Sequence, residues 1–176
     1  REPDAVTWVC LNGRGDFYRR NCRIATANEG DLFGGSRGFT SFFARGFPIF
    51  LPGRDVEHQV VRDGHYPESR SENKGNEPEN VEFGQFGDDA LLFVASERSS
   101  FVAVYDVSDP TAPEYRQVLP AASGPEGILA IPSRNLLIAS SENEQFGAHV
   151  NHGLCNCVGI LGRCLSIKLT NRAMWQ

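Results

Sequence analysis

One motif recurs three times along this chain and limits what it can fold into. A proline and an acidic residue open an apolar stretch, and a second β-type run further on ends in a small residue, one more residue or two, and a glutamate. The copies are Pro3-Asp4-Ala5-Val6 with Ile24-Ala25-Thr26-Ala27-Asn28-Glu29, Pro78-Glu79-Asn80-Val81 with Leu92-Phe93-Val94-Ala95-Ser96-Glu97, and Pro125-Glu126-Gly127-Ile128 with Leu137-Ile138-Ala139-Ser140-Ser141-Glu142. Pro78 and Pro125 are 47 positions apart, and Glu97 and Glu142 are 45 apart. Two landmarks therefore give nearly one period, and a period of that size suggests propeller blades.

The strand signals agree. Short runs of Val, Ile, Leu and Phe, broken by clusters of Gly, Pro, Asn, Asp and Ser, fill Pro3 to Ser141. They predict strands at Ala5–Cys10, Arg23–Ala27, Phe39–Phe43, Val56–Arg62, Val81–Phe86, Leu91–Ser96, Phe101–Asp106, Tyr115–Leu119, Gly127–Ile131 and Leu136–Ser140, with no helix between them. Turns fall at Asp88-Asp89, at Ser133-Arg134-Asn135 and in the link Ser108 to Pro113. The expected fold is all-β, a partial β-propeller of about three four-stranded antiparallel blades. The blade-like units cover about 1–62, 77–120 and 124–144 onward, so the propeller segment is 1–144. A long polar loop, Asp63 to Asn76, interrupts the first unit, and 145–176 forms a divergent, irregular tail containing Cys and His.

Composition excludes several classes. With 176 residues and 40% hydrophobic content the chain can bury an ordinary core. A net charge of -5, with its basic residues scattered among acids, offers no stripe for a phosphate backbone, so nucleic acid is not expected as a partner. No apolar stretch reaches the roughly 20 residues of a transmembrane segment. The chain begins at Arg1, which suggests a processed product or a fragment. Of the five cysteines, Cys10 and Cys22 flank a turn-rich stretch and can face each other across a hairpin.

The matched acids carry the chemistry. First strands of propeller blades line the central channel, so equivalent positions converge. Asp4, Glu79 and Glu126 precede the inner strands, while Glu29, Glu97 and Glu142 close the second strands, and all six are expected at one mouth. Crowded carboxylates need a compensating cation. Oxygen donors from these six and from the amides Asn28, Asn76, Asn80 and Asn143 suit a hard dication, Ca²⁺ before Mg²⁺, because loop-borne ligands give irregular geometry. The alternative is that the acids cap strand ends or pair with Arg37, Arg70 and Arg98.

The segment Ser71 to Glu79, which includes Lys74, Asn76 and Glu77, reads as a binding loop. Lys74 and His65 are the candidates for handling a phosphate or acting as a general base, and His58 is a weaker one. His149, His152, Cys155, Cys157 and Cys164 superficially resemble a zinc set, but without paired Cys-x-x-Cys spacing disulfides or free thiols are the better reading. Arg14-Gly15-Asp16 spells an adhesion tripeptide of a kind common by chance. No nucleophile elbow, phosphate loop or zinc-protease helix is present.

Taken together, Pro3-Asp4-Ala5-Val6, Ala25 to Asp31, Lys74-Gly75-Asn76-Glu77-Pro78-Glu79, Val104 to Pro110 and Gly124-Pro125-Glu126-Gly127 resemble the choice-of-anchor I family. These are secreted or surface-anchored β-propeller proteins often described as alkaline-phosphatase-like or phytase-esterase-like, and related to a mesenchyme-specific cell-surface glycoprotein of sea urchins. The resemblance runs from about Pro3 to Glu144, and Asn28, Asp31, Asn76, Glu77 and Asn80 are the expected ligand-binding positions. It implies a propeller larger than this chain, a secreted or cell-surface address, and a role tied to Ca²⁺ or phosphate. Three functions follow: a cation-binding propeller segment mediating surface or matrix contacts, a metal-dependent phosphoester hydrolase, or a structural subunit of a larger complex whose partners are other chains or the missing blades.

Overall fold

The structure is a computed structural model that describes residues 3–11, 22–30, 36–51, 53–143 and 154–159, with position 143 and 154–159 described by backbone alone. Its strands form three sheets in which sequence neighbours pair antiparallel. The first holds β1 (Pro3–Cys10), β2 (Cys22–Asn28), β3 (Gly38–Phe43) and β4 (Pro48–Phe50) in that order. The second holds β5 (Pro78–Phe86), β6 (Asp89–Ser96), β7 (Phe101–Asp106) and β8 (Glu114–Pro120). The third holds β9 (Ser123–Ile131), β10 (Leu136–Asn143) and β11 (Leu154–Gly159). Each is a blade-like meander, and the fold is the expected all-β, partial propeller-like one.

The sheets stack in sequence order, β1 packing on β5 and β5 on β9. This explains why β6 reads as an unbroken apolar run from Ala90 to Ala95, because its sheet is covered on both faces. On one side Leu92 and Val94 meet Ala25, Ala27 and Phe39 of the first sheet. On the other side Phe93 and Ala95 meet Leu137 and Ala139 of the third. Phe39 also lies 4.8 Å, ring to ring, from Tyr105, and Phe86 meets Phe93 edge-on at 5.8 Å.

Two-residue punctuation closes the hairpins. Gly87, at φ +64°, and Asp88 join β5 to β6, so Asp89 opens a strand rather than completing the turn. Pro132–Arg134 makes a short 3-10 turn before Asn135 takes the left-handed conformation at φ 52°. In the third-to-fourth strand link, the Asp109 carboxylate accepts the Thr111 N–H at 2.8 Å.

The expected strand Val56–Arg62 is instead a helix, α1 (Asp55–Arg62), and the expectation of no helix fails with it. Val56 and Val60 are four apart and both fully buried, a helical rather than a two-residue spacing. Asp55 and Glu57 in the first turn and Arg62 in the last suit the helix dipole. The fourth strand of the first sheet is the three-residue β4. The third sheet gains β11 from the segment expected to be an irregular tail, and three of its strands are described.

Candidate functional site

The repeated proline–acid step is a repeated β-bulge. Pro3 opposes Asn28 and Ala5 opposes Ala27, which leaves Asp4 as an extra residue in β1. Pro78 opposes Ser96 and Asn80 opposes Ala95, which leaves Glu79 extra in β5. Pro125 opposes Ser141 and Gly127 opposes Ser140, which leaves Glu126 extra in β9. A bulge breaks the strict alternation of a strand and re-aims one side chain. Here it does so for the same acid in all three sheets, beside a partner strand that ends in Glu29, Glu97 or Glu142.

The acids come together in two groups. Ligand oxygens of Glu29, Glu77 and Glu79 lie within 4.8 Å of one another, and so do those of Glu97, Glu126 and Glu142. Hydrogen bonding from Glu79 to both Asp4 and Glu97, and between Glu77 and Glu97, joins the groups. Among the described residues, three cations pair with these seven carboxyl groups. Lys74 pairs with Glu29 and Arg70 with Glu77, while Arg98 bridges Glu77 Oε2 at 2.9 Å and Glu97 Oε1 at 2.6 Å. The surplus is four carboxyl groups.

That surplus is visible in the protonation of the site. Burial, with the hydrogen bond and charge of Asp4, pushes the Glu79 carboxyl up to about 9. Burial and the hydrogen bond to Glu77 push Glu97 up to about 7 despite the charge of Arg98. Burial and the neighbouring Glu142 raise Glu126 as well. Glu77 goes the other way: burial alone would raise it, but the hydrogen bonds with Arg70 and Glu97 and the charge of Arg98 hold it below the usual carboxylate range. The hydrogen bond to Glu29 raises the Lys74 ammonium and keeps it charged.

The loop before β5 brings Lys74, Asn76 and Glu77 into place through Arg37. This guanidinium donates to Glu57 Oε1 of α1 at 3.1 Å and to the Ser71 carbonyl at 3.0 Å. Its side chain passes between Gly30 and Gly75, where an added Cβ would come within 2.6 Å of Cγ and 2.7 Å of Nη1. Gly30 follows Glu29 and Gly75 follows Lys74, so one arginine holds both halves of that ion pair. Lys74 and Glu77 both adopt positive φ, 62° and 45°, a strained conformation kept at the site.

Asn76 stands out. Its side chain is fully buried beside Glu77, and neither Oδ1 nor Nδ2 has a hydrogen-bond partner among the described residues. Leaving such an amide unpaired costs about 1–3 kcal/mol. Its backbone carbonyl accepts from Ser96 Oγ at 2.7 Å, which pins the residue to the end of β6.

The other candidates sit elsewhere or in structural roles. Asn28 is buried within the first sheet, donating to Thr40 Oγ1 at 2.9 Å and accepting from Thr26 Oγ1 at 3.0 Å. Asn80 is half-buried on β5. His65 is exposed, with Nδ1 3.1 Å from the Ser99 carbonyl and its ring edge-on to Phe101 at 5.8 Å. His58 is exposed on α1. Cys10 and Cys22, directly paired across β1 and β2, form a disulfide. Asp31, the Arg14-Gly15-Asp16 tripeptide, His149, His152 and Cys164 lie outside the described residues, as do the side chains of Asn143, Cys155 and Cys157.

The Arg37–Glu57 pair was not foreseen: the partners are twenty residues apart with no motif linking them. Glu82 was also missed. Half-buried on β5, it accepts from Thr7 Oγ1 and the Ala130 N–H, both at 3.4 Å, and so ties all three inner strands together. Its clue was an acid in an otherwise inward-facing strand.

The sequence model of one family, the choice-of-anchor I domain, matches residues 31–110. Over that stretch the chain is similar to a choice-of-anchor I domain. The stretch supplies α1, Arg37, the Lys74–Glu79 loop, Glu97 and Arg98, while Asp4, Glu29, Glu126 and Glu142 fall on either side of it. No curated protein and no solved structure matches the chain. No helix among the described residues is long and apolar enough to cross a membrane.

Proposed function

We propose that this chain is a cell-surface or secreted β-propeller segment that holds a divalent cation, Ca²⁺, among its clustered carboxylates and mediates surface or matrix contacts. The observation that carries the reading is the combination of four surplus carboxyl groups with the buried, unpaired amide of Asn76. A dication supplies what both lack. It would replace the protons that Glu79 and Glu97 retain and offer the Asn76 oxygen a partner.

The donor set fits a hard ion. Glu29, Glu77 and Glu79 in one group and Glu97, Glu126 and Glu142 in the other offer carboxylate oxygens, Asp4 adjoins Glu79, and the buried amide of Asn76 precedes Glu77 in the same loop. Oxygen donors drawn from bulges and a loop suit Ca²⁺, which tolerates irregular coordination, better than Mg²⁺, which demands a tight octahedron. The surface address is supported by the similarity to the choice-of-anchor I domain and by the Cys10–Cys22 disulfide, a bond that persists in oxidising compartments.

Phosphoester hydrolysis gains little from the arrangement. Lys74 is engaged by Glu29 and His65 by Ser99. Metal analysis after loading with Ca²⁺ and dialysis into metal-free buffer, run beside phosphoester turnover with and without chelator, separates the two. Retained Ca²⁺ without turnover supports the binding role. Chelator-sensitive turnover would establish the hydrolase instead, and loss of all metal on dialysis would remove both.

A further inference from the structure

The first carboxylate group already holds a cation of the chain's own. Lys74 belongs to the loop before β5, yet its ammonium pairs with Glu29 at the end of β2, forty-five residues away. Glu77 and Glu79, the other two members of that group, attract the same ammonium. Three carboxylates placed closely enough to share one ion therefore share this lysine. Its side chain is 35% exposed, so the ammonium has solvent on one side and acids on the other, and a route out that leaves the loop folded.

The backbone sets this placement. Lys74 and Gly75 are consecutive left-handed residues, both at φ 62°, and the Gly75 N–H donates to the Arg70 carbonyl at 2.9 Å, which closes the loop behind the lysine. A non-glycine residue keeps that conformation only where its surroundings hold it. The filling is nevertheless incomplete. Two residues on, the fully buried amide of Asn76 has no hydrogen-bond partner among the described residues, so the ammonium that serves Glu29 leaves the Asn76 oxygen unserved.

We infer that Lys74 is a tethered cation, holding the first carboxylate group in the metal-free protein and displaced when a dication binds there. The inference rests on the cation-binding reading above and adds what regulates it. An ammonium brings one positive charge, whereas Ca²⁺ brings two and takes amide as well as carboxylate oxygens. The state open to Ca²⁺ is the one in which Lys74 has swung out, and its low population weakens the apparent affinity in proportion. Lys74 thus sets the cation concentration at which the site fills. Arg37 differs, because it also lies against Gly30 and its loss loosens Glu29, a donor, together with the ammonium.

The test is calorimetric titration of Ca²⁺ into the full chain, freed of metal, as wild type, Lys74→Met and Lys74→Arg, each checked for fold by circular dichroism. Lys74→Gln stands in if Lys74→Met does not fold. Position 74 is left-handed whichever side chain it carries, so backbone strain is common to all. Lys74→Met should bind about tenfold more tightly than wild type, and Lys74→Arg should bind like wild type. NMR of ¹³C-labelled lysine gives a readout independent of affinity. The chain has two lysines, Lys74 and Lys168, and the signal missing from Lys74→Met identifies the first. Ca²⁺ should move that signal to the position of a free lysine side chain. A wild type that binds Ca²⁺ with the Lys74 signal unmoved, or a Lys74→Met that binds no more tightly, would overturn the inference and leave the cation-binding reading standing. Absence of binding by both wild type and Lys74→Met would overturn the two together.

Discussion

The backbone N–H of Glu97 donates to the carbonyl of Glu77 at 2.8 Å, and the two side chains share the guanidinium of Arg98. Glu77 enters β5 and Glu97 leaves β6, so this contact joins the two carboxylate groups at one end of the second sheet. The two acids respond oppositely to their surroundings: Glu77 is stabilised as an anion and Glu97 as a neutral acid.

Glu77→Gln should therefore destabilise the fold more than Glu97→Gln. The first change removes the anion that both Arg70 and Arg98 bind, and it should lower unfolding free energy by about 1–2 kcal/mol. The figure is kept small because both arginines are about a third or more exposed and screened by water. The second replaces a carboxyl that is already largely protonated in mildly acidic solution, and should shift stability by less than about 0.5 kcal/mol there. Urea denaturation of the two variants in chelator, at mildly acidic pH, checks the order.

The metal-free protein should lose stability as pH rises. The folded-state values of Glu79, about 9, and Glu97, about 7, lie above the ordinary 4.5 of an unfolded chain. The unfolded state therefore releases these protons first, and the contribution is fully present below 4.5 and lost as pH climbs through 7 and then 9. Glu77 and Asp106, both lowered, act oppositely and weaken the fold only toward acid pH. Thermal melts in chelator should show the midpoint falling between mildly acidic and alkaline pH, with Ca²⁺ removing most of that fall.

Gly75→Ala should destabilise the protein by about 1–3 kcal/mol. Its φ of 62° disfavours any side chain, and the new methyl would meet the Arg37 guanidinium. If Arg37 positions the Lys74–Glu29 pair, Arg37→Met should also weaken Ca²⁺ binding while leaving the overall β circular-dichroism signal intact.

Reduction of the Cys10–Cys22 disulfide should cost about 3 kcal/mol, the loop-closure entropy expected for a separation of twelve residues. A Cys10→Ser/Cys22→Ser double variant should reproduce the effect in thermal unfolding, and reducing agent should then have no further influence.

The repeat was legible because each copy repeats a physical device: a proline and an acid at a bulge, and paired apolar strands that fill a shared core. The equivalence marked the acids as a set, but not their division into two groups, one of which includes Glu77. What stayed hidden depended on contacts between distant parts of the chain. Helix α1 was misread as a strand because Val56, Val60 and Val61 are β-branched, while the features that make it a helix are burial of Val56 and Val60 against the first sheet and the Arg37–Glu57 anchor. Strand β11 is defined only by its register with β10, which local composition does not encode. The balance of charge at the site was similarly out of reach, since Arg98 touches Glu77 from twenty-one positions away.

The most direct test of the account is calorimetric titration of Ca²⁺ into the dialysed chain and into Glu126→Gln and Asn76→Ala. The account predicts saturable binding to the wild type with proton release near neutral pH, and affinity at least about tenfold weaker in both variants. It also predicts that Asn76→Ala unfolds at nearly the wild-type urea concentration when no metal is present, because the amide it removes has no partner to lose. Absence of Ca²⁺ binding by the folded wild type, or affinity unchanged in both variants, would contradict it.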